Sequence, residues 1–169
     1  DTAKQDKHWV AGVRVKQQLT DDLSGQLNYS RDDDPTTGSQ TAGVALDYNP
    51  SKKTNINAGY AQHEDFASAQ QGQAYTLQAQ HEWDDKSSTQ FLYAHADEHF
   101  NNAPSGLVAG TERTQLRHTE VISPDTQVML EGMANSASKT QASNQAITGK
   151  IQTRVDNWQV SAGARHIQH

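Results

Sequence analysis

Apolar residues in this chain recur at every second position, the period of a half-buried β-strand and not of a helix. Trp9, Ala11, Val13 and Val15 alternate with Val10, Gly12, Arg14 and Lys16. The same beat runs through Leu23, Gly25, Leu27 and Tyr29, through Ala42, Val44, Leu46 and Tyr48, and through Ile56, Ala58 and Tyr60. It continues in Tyr75, Leu77, Ala79, His81 and Trp83, then in Val128, Leu130, Gly132 and Ala134. Ile147, Gly149, Ile151, Thr153 and Val155 follow, and last come Trp158, Val160, Ala162 and Ala164. Two segments carry a weaker signal. From Thr89 to Ala96, either Phe91 and Tyr93 or Leu92, Ala94 and Ala96 supply the apolar face. From Leu107 to Ile122, Glu112, His118 and Glu120 interrupt whichever face is chosen. The pattern predicts an all-β chain, an antiparallel up-and-down meander of about ten strands.

The connections predict how those strands are arranged. Tight turns fall at Thr20 to Asp22, Asn49 to Lys53, Asp84 to Ser88, Ser123 to Asp125 and Asp156-Asn157. Between them lie longer polar loops at Arg31 to Gln40, His63 to Gly72, Asp97 to Ser105 and Asn135 to Asn144. Short and long connections alternate, as in a bacterial barrel with short periplasmic turns and longer outer loops. With the short turns taken as periplasmic, Trp9, Tyr29, Tyr60 and Tyr75 fall near the loop end of the apolar face. Tyr48, Trp83 and Trp158 fall near its turn end. These are two aromatic girdles, expected where amphipathic rings meet the two membrane interfaces. Tyr75 and Trp83 are separated by roughly 26 Å along one strand, which a tilt of about 40° reduces to roughly 20 Å across the membrane.

Composition is compatible with this reading. The 169 residues are 33% hydrophobic and contain no cysteine, so neither a disulfide nor a thiolate metal site is available. A mean hydropathy of −0.89 is low for a thick soluble core, but a barrel turns only alternate residues to lipid. The formal charge of −6 is spread along the chain, which argues against a nucleic-acid partner. No run approaches the roughly 18 apolar residues of a spanning helix. The first residues, Asp1 to Lys7, are polar apart from Ala3 and show no signal-peptide pattern.

The alternate positions form a polar face, predicted to line a lumen. It carries Arg14, Lys16, Arg113, Arg117, Lys150 and Arg154 against Asp47, Glu82 and Glu131. Gln26, Asn28, Asn55, Asn57, Gln78 and Gln80 fill much of the rest. Such a face either simply solvates a lumen or forms a polar conduit whose positive bias favours anions or a polyanionic partner.

Gly25-Gln-Leu-Asn-Tyr-Ser30, Ala45-Leu-Asp-Tyr-Asn-Pro50 and Asn57-Ala-Gly-Tyr-Ala-Gln62 are similar to strands of porin-like proteins. The whole chain resembles the bacterial outer-membrane β-barrel class in style, without a family-specific motif. That resemblance implies a Gram-negative outer-membrane location and a pore, an export channel or a scaffold sleeve, with membrane lipid as partner. Two features depart from a complete barrel of this class: the first connection is short, and the segment Arg165 to His169 lacks the terminal aromatic that commonly closes such proteins. The expectation is a single β-barrel domain over 1–169 that is an internal portion of a larger barrel, its open edges met by further strands or a partner protein.

Reactive groups are sparse. His95-Ala-Asp-Glu-His99 places two histidines four apart, a zinc spacing on a helix but not where a strand passes into a loop. Asp32-Asp33-Asp34 lacks the glycine and distal glutamate of a calcium loop and is read as opening a turn. His63 with Glu64 and Asp65, and His99, are rim candidates for hydrolysis without a convergent nucleophile. The expectation is therefore no enzyme, no cofactor and no metal. The competing class is a soluble or surface-exposed antiparallel β-protein, an adhesin or binding module, which would bury its apolar face against a second layer.

Overall fold

Backbone pairing follows the two-residue period. The computed structural model describes residues 9–34, 36–100, 108–137 and 142–168. Ten strands lie in chain order in a single sheet: β1 Val10–Gln18, β2 Leu23–Asp32, β3 Ser39–Ser51, β4 Thr54–Asp65 and β5 Gln70–Glu82, followed by β6 Ser87–Ala96, β7 Thr111–Ser123, β8 Thr126–Ala137, β9 Ala142–Val155 and β10 Trp158–Gln168. Every neighbouring pair is antiparallel. Among the described residues β1 pairs only with β2 and β10 only with β9, so the sheet is open. Asp1 to Lys7, Pro35, Leu107, His169 and parts of the two later long loops lie outside the described residues.

The register settles both ambiguous strands. Phe91 stands opposite Ala79 and Leu116, and Tyr93 opposite Leu77 and Thr114, so these two join the apolar face. Leu92, Ala94 and Ala96 belong to the polar face. On β7, Glu112, His118 and Glu120 share the apolar face with Leu116.

Several strands run further than the hydrophobic pattern reached. His63 pairs with Gly72, Glu64 with Gln71 and Asp65 with Gln70, which leaves only residues 66–69 where a long loop was expected. Asp32 likewise pairs with Ser39, and Ala137 with Ala142. The physical reason is simple. The apolar period stops where the greasy band stops, but ladder hydrogen bonds join backbone groups and persist through polar side chains.

The apolar band also drifts across the hydrogen-bonded rows. Tyr29 leads through Ala42 to Gln62, whereas the corresponding aromatic of β4 is Tyr60, a difference of 62 − 60 = 2 residues over two strand steps. A horizontal band crossing tilted strands must shift in this way, and that stagger is the shear of barrel sheets. Buried apolar side chains are correspondingly few among the described residues: Ala74, Ala94, Ala96, Phe100 and Ala146, of which Ala74, Ala96 and Phe100 cluster with partly buried Ala61 against them.

Candidate functional site: the polar face and the segment across it

The nine charged residues predicted to line a lumen occupy one side of the sheet. Arg14 stands opposite Asn28, Lys16 opposite Gln26 and Asp47 opposite Asn57. Glu82 faces Ser88, Arg113 faces Asn135 and Arg117 faces Glu131. Lys150 is opposite Met129 and Arg154 opposite Gln159. Arg165, opposite Thr148, joins them and was not singled out in the sequence.

Hydrogen bonds tie much of this face together. Glu131 accepts from Arg117 through Nε at 2.8 Å and Nη2 at 2.6 Å, and from Gln115 at 2.6 Å. Asp47 accepts from Asn49 and Asn55, and Asn57 donates on to Asn55. Arg14 and Gln26 both donate to Asn28. Arg113 donates to the amide oxygen of Gln115 at 2.9 Å. Among the described residues Arg14, Lys16, Arg113, Lys150 and Arg154 pair with no carboxylate. The charges are also sorted. Bases stand on β1, β7, β9 and β10, while the acids Asp32, Asp47, Asp65 and Glu82 stand on β2 to β5 and Glu131, on β8, is held by Arg117. A basin of about 290 Å³ lies where they meet, lined by Gln78, Gln80, Gln90, Arg113, Gln115 and Arg117 among others.

The segment after β6 folds across this face. Asp97 organises it: its carboxylate accepts from the backbone N–H of Gln73 and of His99, and its carbonyl accepts from Phe100 and Gly110. Phe100 is then driven against Ala61, Ala74 and Ala96, with 1% of its surface exposed and its ring edge-on to His63 at 6.3 Å. Gly72 makes room, because a side chain there would collide with the backbone of His99 and Phe100. The apolar run Leu92, Ala94 and Ala96 on a polar face was the signal in the sequence that something packs there. Phe100 itself carried none.

The remaining candidates do not converge. His95 lies on the apolar face, its Nδ1 3.6 Å from Glu112, while the backbone of His99 crosses the polar face at Gly72. Among the described residues no group of three or more His, Asp and Glu is placed to hold a metal. Asp32 and Asp34 accept from nearby backbone in their own turn, and Asp33 pairs with Arg31 at 3.0 Å. His63 and Glu64 point to opposite faces. His63 meets Thr41, whereas Glu64 accepts from Gln40.

The seven aromatics expected to form two girdles lie on the apolar face, some near its loop end and the others near its turn end. Tyr60 and Tyr75 are direct cross-strand partners with ring centroids 5.2 Å apart. The hydroxyls of Tyr29 and Tyr75 donate to Gln40 and Gln73, so each ring has an apolar body and a polar tip at the loop end. At the turn end the Trp83 indole donates to Thr89, and Tyr48, Trp83 and Trp158 are all exposed. Trp9 stands beside Arg31, whose guanidinium is 5.9 Å from its ring.

No protein-family model matches this sequence, and no curated protein matches it. The fold is similar to that of the outer-membrane porin OccK11 (OpdR) of Pseudomonas aeruginosa, with a TM-score of 0.60 at 10% sequence identity. The likeness covers 94% of this chain and 54% of that one, so this chain spans about half the length of its structural neighbour. At that identity the likeness is one of fold: an all-β, outer-membrane-barrel type of sheet.

Proposed function

We propose that this chain forms part of the wall of an outer-membrane pore, its polar face lining a water-filled path and its apolar face turned to lipid. The observation that carries this reading is the contrast between the two faces of one ten-stranded sheet. One face bears exposed Val13, Leu27, Val44, Leu46 and Leu77 between two aromatic girdles. The other bears amides and unpaired bases. A soluble protein with so much exposed apolar surface would need a second layer to cover it. Lipid covers it without one.

An open sheet in hydrocarbon leaves backbone groups of β1 and β10 unpaired, each costing about several kcal/mol, so further strands complete the wall. The bases on β1, β7, β9 and β10 give that side of the path a positive field and a preference for anions over cations. The Asp97–Phe100 segment narrows the path at its loop end.

Planar-bilayer recording of the protein purified from its own membranes tests this. The expected result is an ohmic conductance whose reversal potential in a salt gradient favours anions. Replacing Arg14, Arg113 and Arg154 together with Gln should move that potential toward zero. A silent bilayer, or a potential indifferent to the replacement, would sink the reading. So would a protein that stays monodisperse without detergent, which is the behaviour of the soluble adhesin class.

A further inference from the structure

The polar face is rich in amides, and many of them are committed to one another or to a neighbouring acid. Gln26 donates to Asn28, Asn57 to Asn55, Gln127 to Gln152 and Asn135 to Asn144, while Gln115 donates to Glu131. Gln78, Gln80 and Gln90 are not. All three are exposed, and their side-chain amides meet no hydrogen-bond partner among the described residues.

The register gathers them. Gln80 is the direct partner of Gln90, and Gln78 of Leu92. Gln90 in turn faces Arg117, and Leu92 faces Gln115. The three amides and Leu92 thus form two adjoining rows on β5 and β6, spaced by roughly 5 Å across the strands and roughly 7 Å along them. They line the basin of about 290 Å³, with Asn55 on one flank and Arg113, Gln115 and Arg117 on the other. Leu92 is the odd member. Ala94 and Ala96 beyond it are buried, and Ala96 packs under Phe100, but Leu92 is half-buried and lies outside that cluster. It gives the basin one apolar spot with amides on three sides. The flanking bases are partly committed: Glu131 holds Arg117 through Nε and Nη2, and Arg113 donates from Nη2 to Gln115.

We propose that this basin is a binding subsite for a saccharide passing along the polar face; the inference rests on the pore-wall reading. Each free amide offers two N–H donors and a carbonyl acceptor. A hydroxyl is the solute group that uses both, since it donates and accepts at once. A simple anion only accepts, and would leave three carbonyl oxygens without a donor. A sugar ring also carries an edge of hydroxyls and a face of C–H groups, and the amides around Leu92 offer a counterpart to each. Water solvates these amides when no sugar is present, so each bond to a hydroxyl replaces one to water and contributes modestly. That suits a path, where a solute must bind weakly enough to leave.

Glucose added to the planar-bilayer recording tests this. In the wild-type channel it should reduce the ion current along a saturating curve, whereas a mere viscosity effect grows without saturating. Replacing Gln78, Gln80 and Gln90 together with Met keeps side-chain length but removes every amide donor and acceptor. The half-blocking concentration should then rise roughly tenfold or more, the equivalent of one or two net hydrogen bonds. The conductance in salt alone reports whether the triple variant folds; if it is lost, Gln80→Met carries the comparison, with a rise of about threefold. Gln26→Met, on the same face but outside the basin, should leave the block as it is. A block weakened equally by Gln26→Met, or a block by gluconate with none by glucose, overturns the proposal. The recording also separates the two levels of inference. A conducting channel whose current shows no saturable response to glucose sinks the subsite and leaves the pore wall standing, whereas a silent bilayer removes both.

Discussion

Phe100 reaches its buried seat only because residue 72 is glycine. The backbone of His99 and Phe100 passes directly over Gly72, where a single added carbon would strike backbone atoms. Gly72→Ala should therefore lift the segment from the polar face, since overpacking against backbone cannot be relieved by a rotamer change. If the segment narrows a pore, single-channel conductance rises in this variant and in Phe100→Ala. A conductance equal to wild type in both would place the segment away from the path.

The apolar band makes a contrast between neighbouring positions. Leu46→Arg and Leu77→Arg put a charge on the exposed apolar face and should weaken insertion by about 2–4 kcal/mol if that face meets mid-membrane lipid. Gln78→Arg, one residue from Leu77 but on the polar face, should be far milder. Urea titration of folding into vesicles measures both. Equal tolerance would mean that lipid does not cover this face.

Ala69 has a φ of 52°, in the left-handed region, within the connection between β4 and β5. For a residue with a Cβ that conformation costs about 1–2 kcal/mol, which glycine avoids at some loss of unfolded-state restriction. Ala69→Gly should be neutral to stabilising in the same titration, whereas Ala69→Val should be clearly destabilising. A stable Ala69→Val protein would show the strain to be absent.

Asp34 lies outside the strands and accepts from the Thr36 hydroxyl and from the N–H groups of Thr36 and Thr37. These bonds, the Thr36 hydroxyl first, hold its carboxyl well below the usual carboxylate range. A depressed folded pKa gives stability that is fully present above the ordinary value of about 3.9 and lost as pH falls through the folded one. Amide exchange at Thr36 and Thr37 should accordingly remain slow through mild acid and quicken only at strongly acidic pH. Asp34→Ala should show the fast exchange already at neutral pH. Protection that disappears at the ordinary carboxylate pKa would contradict the bonded turn.

The strands of this protein were legible because a sheet with one greasy face writes its period directly into the chain. Val13, Leu27, Leu46 and Leu77 could be assigned to a face from alternation alone, and the charged residues from Arg14 to Arg154 followed as their complement. What alternation could not reach were contacts set by backbone and distance. Strand ends such as Glu64 and Gln71 pair through groups that no side chain reveals. Phe100 is an isolated aromatic in a polar stretch until tertiary folding brings it onto Ala61, Ala74 and Ala96. On β7, Glu112, His118 and Glu120 interrupt the alternation, and only pairing with β6 and β8 sets them on one face with Leu116, because backbone hydrogen bonds fix a strand's register whatever side chains it carries.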